Sequence, residues 1–481
     1  MDAEPKIFMN SLWQTLTLAT IPLHQWRRTS YLYHLVGLLQ RWRRSSWLMQ
    51  WGDELGFCLL ALVFGLAPFV PNALIGLLLF ACGGYWALLT LSDETESPTI
   101  ANRNGLTPIH LLILLYWGIA TVATAVSPVK MAAFAGWSKL TLYLTAFALM
   151  ARILRSPRWR SYLITVYLHI SLIVSVYGIR QWIFGANALA TWVDPESPLA
   201  KTTRVYSFLG NPNLLAGYLL PAIALSVAAI FAWRGWMPKL LAGVMAGINT
   251  ACLVLTFSRG GWIGLVISMF VLFVLLMYWW SIRWPQPWRS LAIPTLLGGL
   301  AVFVFLAVML VDPLRDRVFS IFAGRGDSSN NFRLNVWAAV IEMIRDRPIL
   351  GIGPGNTAFN KIYPLFQRPR FNALSAYCIL LEISVETGFV GLCAFLWLLT
   401  VIFNQGWVQL QRLRQLGSRE GFWLMAAIAT MAGMLGHGLV DTVWYRPEVS
   451  TLWWLMVAII ASYYTVPPRP ESLAMPAALA S

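Results

Sequence analysis

The chain has 481 residues, 58% of them hydrophobic and 11% charged, with a mean hydropathy of +0.64. A soluble domain carries roughly a quarter charged residues, so this balance excludes a water-soluble enzyme, a disordered tail protein and a nucleic-acid binder. The formal charge of +15 then reads as topology, because Lys and Arg collect in the cytoplasmic loops of membrane proteins.

In chain order, residues 1–52 mix Trp26, Tyr31, Trp42 and Trp47 with Arg27, Arg28, Arg41, Arg43 and Arg44. Basic and aromatic residues together suit the headgroup layer, which gives a cytoplasmic amphipathic segment. Asp2 and Glu4 stand at the N-terminus, and no short apolar core precedes a small-residue cleavage site, so the first span is expected to be the insertion signal. Twelve apolar runs follow, near 53–70, 73–91, 108–126, 132–151, 161–184, 213–232, 239–257, 261–281, 291–311, 378–403, 421–440 and 450–465. Runs of about twenty residues cross a bilayer core. The expected fold is an all-α, polytopic membrane protein. Spans one to nine fill 53–311, a large extracytoplasmic loop fills 312–377, spans ten to twelve fill 378–465, and 466–481 is a cytoplasmic tail.

Charge fixes the expected orientation. With the N-terminus inside, the cytoplasmic segments hold nineteen Lys or Arg, including Arg152, Arg155, Arg158 and Arg160 after span four, and the short outside loops hold five: Lys130, Lys201, Arg204, Arg259 and Arg446. This asymmetry points to the plasma membrane with both termini cytoplasmic. Within the large loop, Ser328-Ser329-Asn330-Asn331 supplies a helix start, Val336, Val340 and Met343 recur at helical spacing, and Pro348 ends the helix. Arg333 and Trp337 are then neighbours on one face. Cys58, Cys82, Cys252, Cys378 and Cys393 lie in apolar runs without metal-ligand spacing, and read as small buried hydrophobes rather than as disulfides or a zinc site.

Several constellations could carry chemistry. Arg259, in Ser258-Arg259-Gly260-Gly261, sits in a very short outer connection. It reads either as an interfacial arginine or as a fork for phosphate or carboxylate oxygens. Arg204 precedes the turn Gly210-Asn211-Pro212-Asn213, whose asparagines read as helix caps. If Arg204 folds over the same mouth as Arg259, two fixed cations face one cavity. Gly351-Ile352-Gly353-Pro354-Gly355-Asn356 is a structural turn or, less simply, an anion nest. His437 and Asp441 lie four apart near the outer end of span eleven, where an acid–histidine pair is either a functional site or a local hydrogen bond. Glu382 and Glu386 lie four apart on span ten and need partners. Lys139, His169 and Arg180 snorkel or pair internally, and Asp312 with Asp316 reads as solvated carboxylates before a cation site. No zinc motif, Walker loop or Ser-His-Asp arrangement is present.

These residues carry a resemblance. The Arg204…Asn213 run, Ser258-Arg259-Gly260-Gly261, Arg333…Trp337, the 351–356 turn and Glu386-Thr387-Gly388 resemble, in order and spacing, the O-antigen ligase and polymerase superfamily of bacterial membrane proteins. Asp327-Ser328-Ser329-Asn330-Asn331-Phe332-Arg333, Gly436-His437-Gly438-Leu439-Val440-Asp441-Thr442 and Ser450-Thr451-Leu452-Trp453-Trp454 resemble the cyanobacterial IctB branch, which is associated with inorganic-carbon accumulation. The ligase resemblance implies transfer of a glycan from a lipid-diphosphate carrier, with Arg204, Arg259 and Arg333 on the diphosphate. The ligases place a histidine nine residues before Glu-Thr-Gly. Here that position is Tyr377, and a phenol with pKa near 10 is a poor general base. His437 is a substitute if span eleven borders the same cavity. The IctB resemblance implies a role in bicarbonate uptake or accumulation with an outward arginine-lined anion site, and is the leading expectation. Glycan transfer is its alternative, and a non-catalytic subunit of a partner complex is the third. The expected ligand is bicarbonate or a lipid-diphosphate-linked glycan in a bilayer setting, with no nucleic acid, metal or cofactor.

Overall fold

A computed structural model describes residues 11–19, 34–93, 106–186, 204–285 and 328–465, with a few isolated positions besides. Among them there is no strand. A short α1 (Gln40–Ser45) leads into α2 (Gly52–Leu66), α3 (Asn72–Leu91), α4 (Pro108–Ala125), α5 (Lys130–Ile153), α6 (Pro157–Phe184), α7 (Pro212–Ala232), α8 (Trp236–Leu255) and α9 (Arg259–Trp280). The chain continues through α10 (Ser328–Asp346), α11 (Asn356–Ile362), α12 (Ile379–Gln415), α13 (Glu420–Gly438) and α14 (Pro447–Ser462).

The protein is an all-α polytopic membrane protein. Among the described residues, a helix occupies every expected span except 291–311, which lies largely outside them. Seven of these helices, α3, α4, α6, α7, α8, α9 and α12, are long and apolar enough to cross a membrane. The others are short or carry charge. The 15-residue α2 opens with Asp53 and Glu54, α5 contains Lys130 and Lys139, α13 runs from Glu420 to a last turn with His437, and α14 is a shorter apolar helix.

Two features go beyond the apolar runs. α12 continues to Gln415, because Gln405, Gln409, Leu410 and Leu413 keep a buried face after the apolar run has ended. Arg160, expected in a cytoplasmic loop, is buried. Its Nε and Nη2 donate to Glu420 Oε2 at 3.0 and 2.5 Å, and its Nη1 donates to Leu154 O and Ser462 Oγ. This partly buried pair ties α6, α13 and α14 together. The cysteines also depart in part from expectation: Cys82 and Cys252 are buried, but Cys58 and Cys393 are exposed.

Backbone approach sets the centre of the bundle. α7 is buried on nearly every side, and α9 and α13 cross it at close range. A Cβ added at Gly264 would stand 2.7 Å from Gly433 O, and one added at Gly433 would stand 2.6 Å from Gly264 O. Small residues that admit such contact are the usual adhesive between membrane helices, where dispersion replaces the hydrophobic drive. The second anchor is the kink in α12. Gly388 adopts φ +68°, and a Cβ there would lie 2.1 Å from Ile349 O. Only glycine meets both conditions, and the kink lets the 349–353 turn dock on the helix.

Gly433→Leu should therefore lower the thermal unfolding midpoint in detergent, at a cost of about 1–3 kcal/mol or more. Gly76→Leu, at a glycine that faces open space, should leave the midpoint unchanged.

Candidate functional site

Helix starts position the site. Asn211 caps α7: its Oδ1 accepts from the N–H groups of Asn213 and Leu214 at 2.8 and 3.3 Å. Ser258 caps α9, its Oγ accepting from Gly261 N–H at 3.2 Å. These caps satisfy N–H groups that a helix start leaves open, and they set Asn213 and Arg259 in the first turns of two adjacent helices.

Asn213 is thereby released from capping and acts as a bridge. Its Oδ1 accepts from Arg204 Nη2 at 3.2 Å, and its Nδ2 donates to Asp441 Oδ2 at 2.6 Å. Arg204 Nε donates to Thr256 O at 3.0 Å, which holds this guanidinium against the α8–α9 connection. The buried Arg259 donates from Nη1 to Asn330 Oδ1 at 3.0 Å. One turn along α10, Arg333 Nη1 donates to Ser329 Oγ at 3.3 Å. Arg204, Arg259, Arg333 and Asp441 thus converge from four separate stretches of chain. Burial lowers the Arg204 guanidinium from its ordinary value to about 10; Asp441 opposes this, and the charges of Arg259 and Arg333 add to it. Arg204 still carries its charge at neutral pH.

His437 packs beneath this cluster. It is 1% exposed, and a Cβ at Gly260 would meet its Nε2 at 3.1 Å. His437 Nε2, Arg333 Nε and Trp337 Nε1 are buried without a hydrogen-bond partner among the described residues. Buried polar groups are normally satisfied. Unsatisfied groups beside a guanidinium cluster suit a ligand with several anionic oxygens. Tyr377 shares the electrostatic neighbourhood of Asp441, Tyr445 and Arg333; burial first, then Asp441 and Tyr445, raise its phenol above the usual value. It remains neutral.

A cavity of about 160 Å³ adjoins the cluster through Thr442 and Tyr445. Aromatic rings, including Tyr143 and Trp453, share its wall with Lys139, Glu382 and Glu386. The partners that the two glutamates required are backbone groups. Glu382 Oε2 accepts from Ala376 N–H at 2.5 Å and Glu386 Oε1 from Gly355 N–H at 2.7 Å. The 351–356 turn is structural. Ile352 N–H donates to Val385 O and Gly353 N–H to Glu386 O, so these donors are engaged by α12 and form no anion nest. His169 Nδ1 lies 2.8 Å from Thr165 O, and the Arg180 guanidinium lies over Tyr177 and Phe184. Both pair locally, as expected. Asp312 and Asp316 lie outside the described residues.

Sequence reasoning named the three arginines, His437 and Asp441, and missed the roles of Asn213 and Asn330. Both asparagines stand in helix-start runs, where capping is the natural expectation. The second asparagine of Asn-Pro-Asn was the available signal, since one helix needs one cap.

The fold and site define a polytopic helical membrane protein with a cluster of guanidinium groups at one end of its bundle, suited to an anion. Residues 244–396 match the family model Wzy_C, described as O-antigen ligase, and over that stretch the chain is similar to this family. The matched stretch includes Arg259, Arg333, Tyr377 and Glu386-Thr387-Gly388; Arg204, His437 and Asp441 lie outside it. No curated protein matches the chain.

Asp441→Ala removes the carboxylate from the midst of these cations. The expected cost is about 3–5 kcal/mol, seen as a lower thermal midpoint, and added inorganic pyrophosphate should recover part of the loss.

Proposed function

We propose that the protein transfers a glycan from a lipid-diphosphate carrier to an acceptor, with Arg204, Arg259 and Arg333 holding the diphosphate. The observation that carries this reading is that Arg259, Arg333 and Asp441 all act at close range on Arg204, which Asn213 bridges to Asp441. Two of the arginines stand inside the stretch similar to O-antigen ligases. In the proposed step the bond from the sugar's anomeric carbon to the diphosphate oxygen breaks, and a bond to an acceptor hydroxyl oxygen forms. The bonding pair leaves with the diphosphate, so negative charge grows where the arginines stand. Cations fixed in a site of low dielectric stabilise that charge without reorganising.

The acceptor's proton needs a base. Tyr377 is unsuited, because its phenol is held neutral. His437, whose Nε2 is unpartnered beside the first turn of α9, is the proposed proton acceptor, with Asp441 as its charged neighbour. The aromatic and carboxylate-lined cavity beside the cluster is the proposed place of the acceptor.

Surface glycans compared with and without the gene test the reading, and an unchanged profile would overturn it. In a reconstituted assay with lipid-linked glycan, Arg259→Ala and Arg333→Ala should each lower transfer by about 10²–10³-fold. Tyr377→Phe should keep transfer within about threefold, whereas His437→Gln should lose about 10²-fold or more.

The bicarbonate reading rests on the IctB-like motifs alone, since the family match is described only as O-antigen ligase. On the transfer reading, purified protein in sealed liposomes should carry no bicarbonate above the level of empty liposomes.

A further inference from the structure

Two carboxylates share the cavity beside the arginine cluster, and neither has a cationic partner. Glu382 and Glu386 stand one turn apart on α12, so both face the same side of the helix, and both line the cavity. Each is held by one backbone N–H, from Ala376 and from Gly355. Neither forms an ion pair among the described residues. Lys139 lines the same cavity, but it is exposed and forms no ion pair with either carboxylate.

The rest of the wall is aromatic and carries a hydroxyl without a partner. Trp444 and Trp453 pack on each other with ring centroids 4.1 Å apart, which fixes two indole rings at the cavity. Thr442 is 3% exposed, lines the cavity and has its Oγ1 buried without a hydrogen-bond partner among the described residues. Buried hydroxyls are normally satisfied, so this one suits a polar group brought by a ligand. Carboxylates beside aromatic faces are surroundings that hold an ammonium, through charge-assisted hydrogen bonds and through the rings. The volume of about 160 Å³ lies below the roughly 300–1,000 Å³ of a drug-sized site. The space takes one small ring and not a chain of them.

We propose that this cavity binds the terminal ring of the acceptor and that this ring is an amino sugar, its ammonium held between Glu382 and Glu386. The Thr442 hydroxyl pairs with a ring hydroxyl, and the indoles of Trp444 and Trp453 cover the apolar face of the ring. Tyr445 lies within electrostatic reach of both Glu382 and Asp441, which sets the ring next to the arginine cluster. The bound cation supplies the partner that the carboxylates lack. That this ligand is the acceptor rests on the transfer reading; that it carries an amine rests on the cavity alone.

Calorimetric titration of purified full-length protein with glucosamine and with glucose, in a detergent without a sugar headgroup, tests the proposal. At pH 6 the amine is protonated, and glucosamine should bind on the order of tenfold more tightly than glucose. Glu382→Gln and Glu386→Gln keep an oxygen for the Ala376 and Gly355 N–H groups. Each should weaken glucosamine binding by a similar factor and leave glucose binding unchanged. Lys139→Gln removes a like charge and should tighten glucosamine binding by about threefold. Equal binding of the two sugars by the parent protein would overturn the proposal. So would unchanged glucosamine affinity in Glu382→Gln and Glu386→Gln alike, or weaker binding in Lys139→Gln. A protein that binds glucosamine selectively but transfers to no acceptor would keep the amine site and refute the transfer reading. Transfer with equal use of acceptors ending in glucosamine and in glucose would refute the amine site and keep the transfer reading.

Discussion

A close backbone contact between two helices governs the site. Gly264 of α9 and Gly433 of α13 meet at a distance that a single added Cβ would prevent. One turn toward the start of α9, Gly260 lies against His437, and the next residue back is Arg259. The arginine, the imidazole and the carboxylate of Asp441 are thus brought together by helices that touch through glycine. In a bilayer, apolar side chains gain little by leaving lipid, so close packing and polar contacts decide which helices associate.

Electrostatics then distinguishes the two ends of the molecule. At one end, Arg259, Arg333 and Asp441 stand within electrostatic reach of Arg204, and amide side chains, Asn213 and Asn330, hold Arg204 and Arg259. Amides orient a cation without cancelling its charge, so the cluster keeps its attraction for an anion. At the other end, Asp93 accepts from two arginines and Glu420 from Arg160. There carboxylates complete the ion pairs, and these pairs fasten helices to one another. The same residue type serves binding at one end and assembly at the other, according to its partner.

The chemistry of the transfer reading follows from this contrast. A leaving diphosphate gains charge, and fixed cations lower the cost of that gain more in a desolvated site than in water. The wall of the neighbouring cavity combines aromatic faces with carboxylates that are each anchored to a backbone N–H. Such a wall offers a hydroxyl-rich acceptor both stacking surfaces and fixed hydrogen-bond acceptors.

Much of the architecture was legible in the sequence. Runs of apolar residues can satisfy their backbone in a bilayer only as helices, so the spans could be read from local composition. The helix that carries Arg333 and Trp337 was readable from its capping run and its periodicity. Composition also misled where burial replaced hydropathy. The polar-looking end of α12 stays helical because Gln405 and Gln409 are buried, and Arg160 leaves the expected loop for an internal ion pair. Local sequence determined that arginines stand at helix starts and turns. Only the tertiary structure decided that Arg204, Arg259, Arg333 and Asp441 face one another, and that Asn213 and Asn330 serve them, because convergence depends on how distant helices pack, and packing at glycine contacts leaves no periodic trace in the chain.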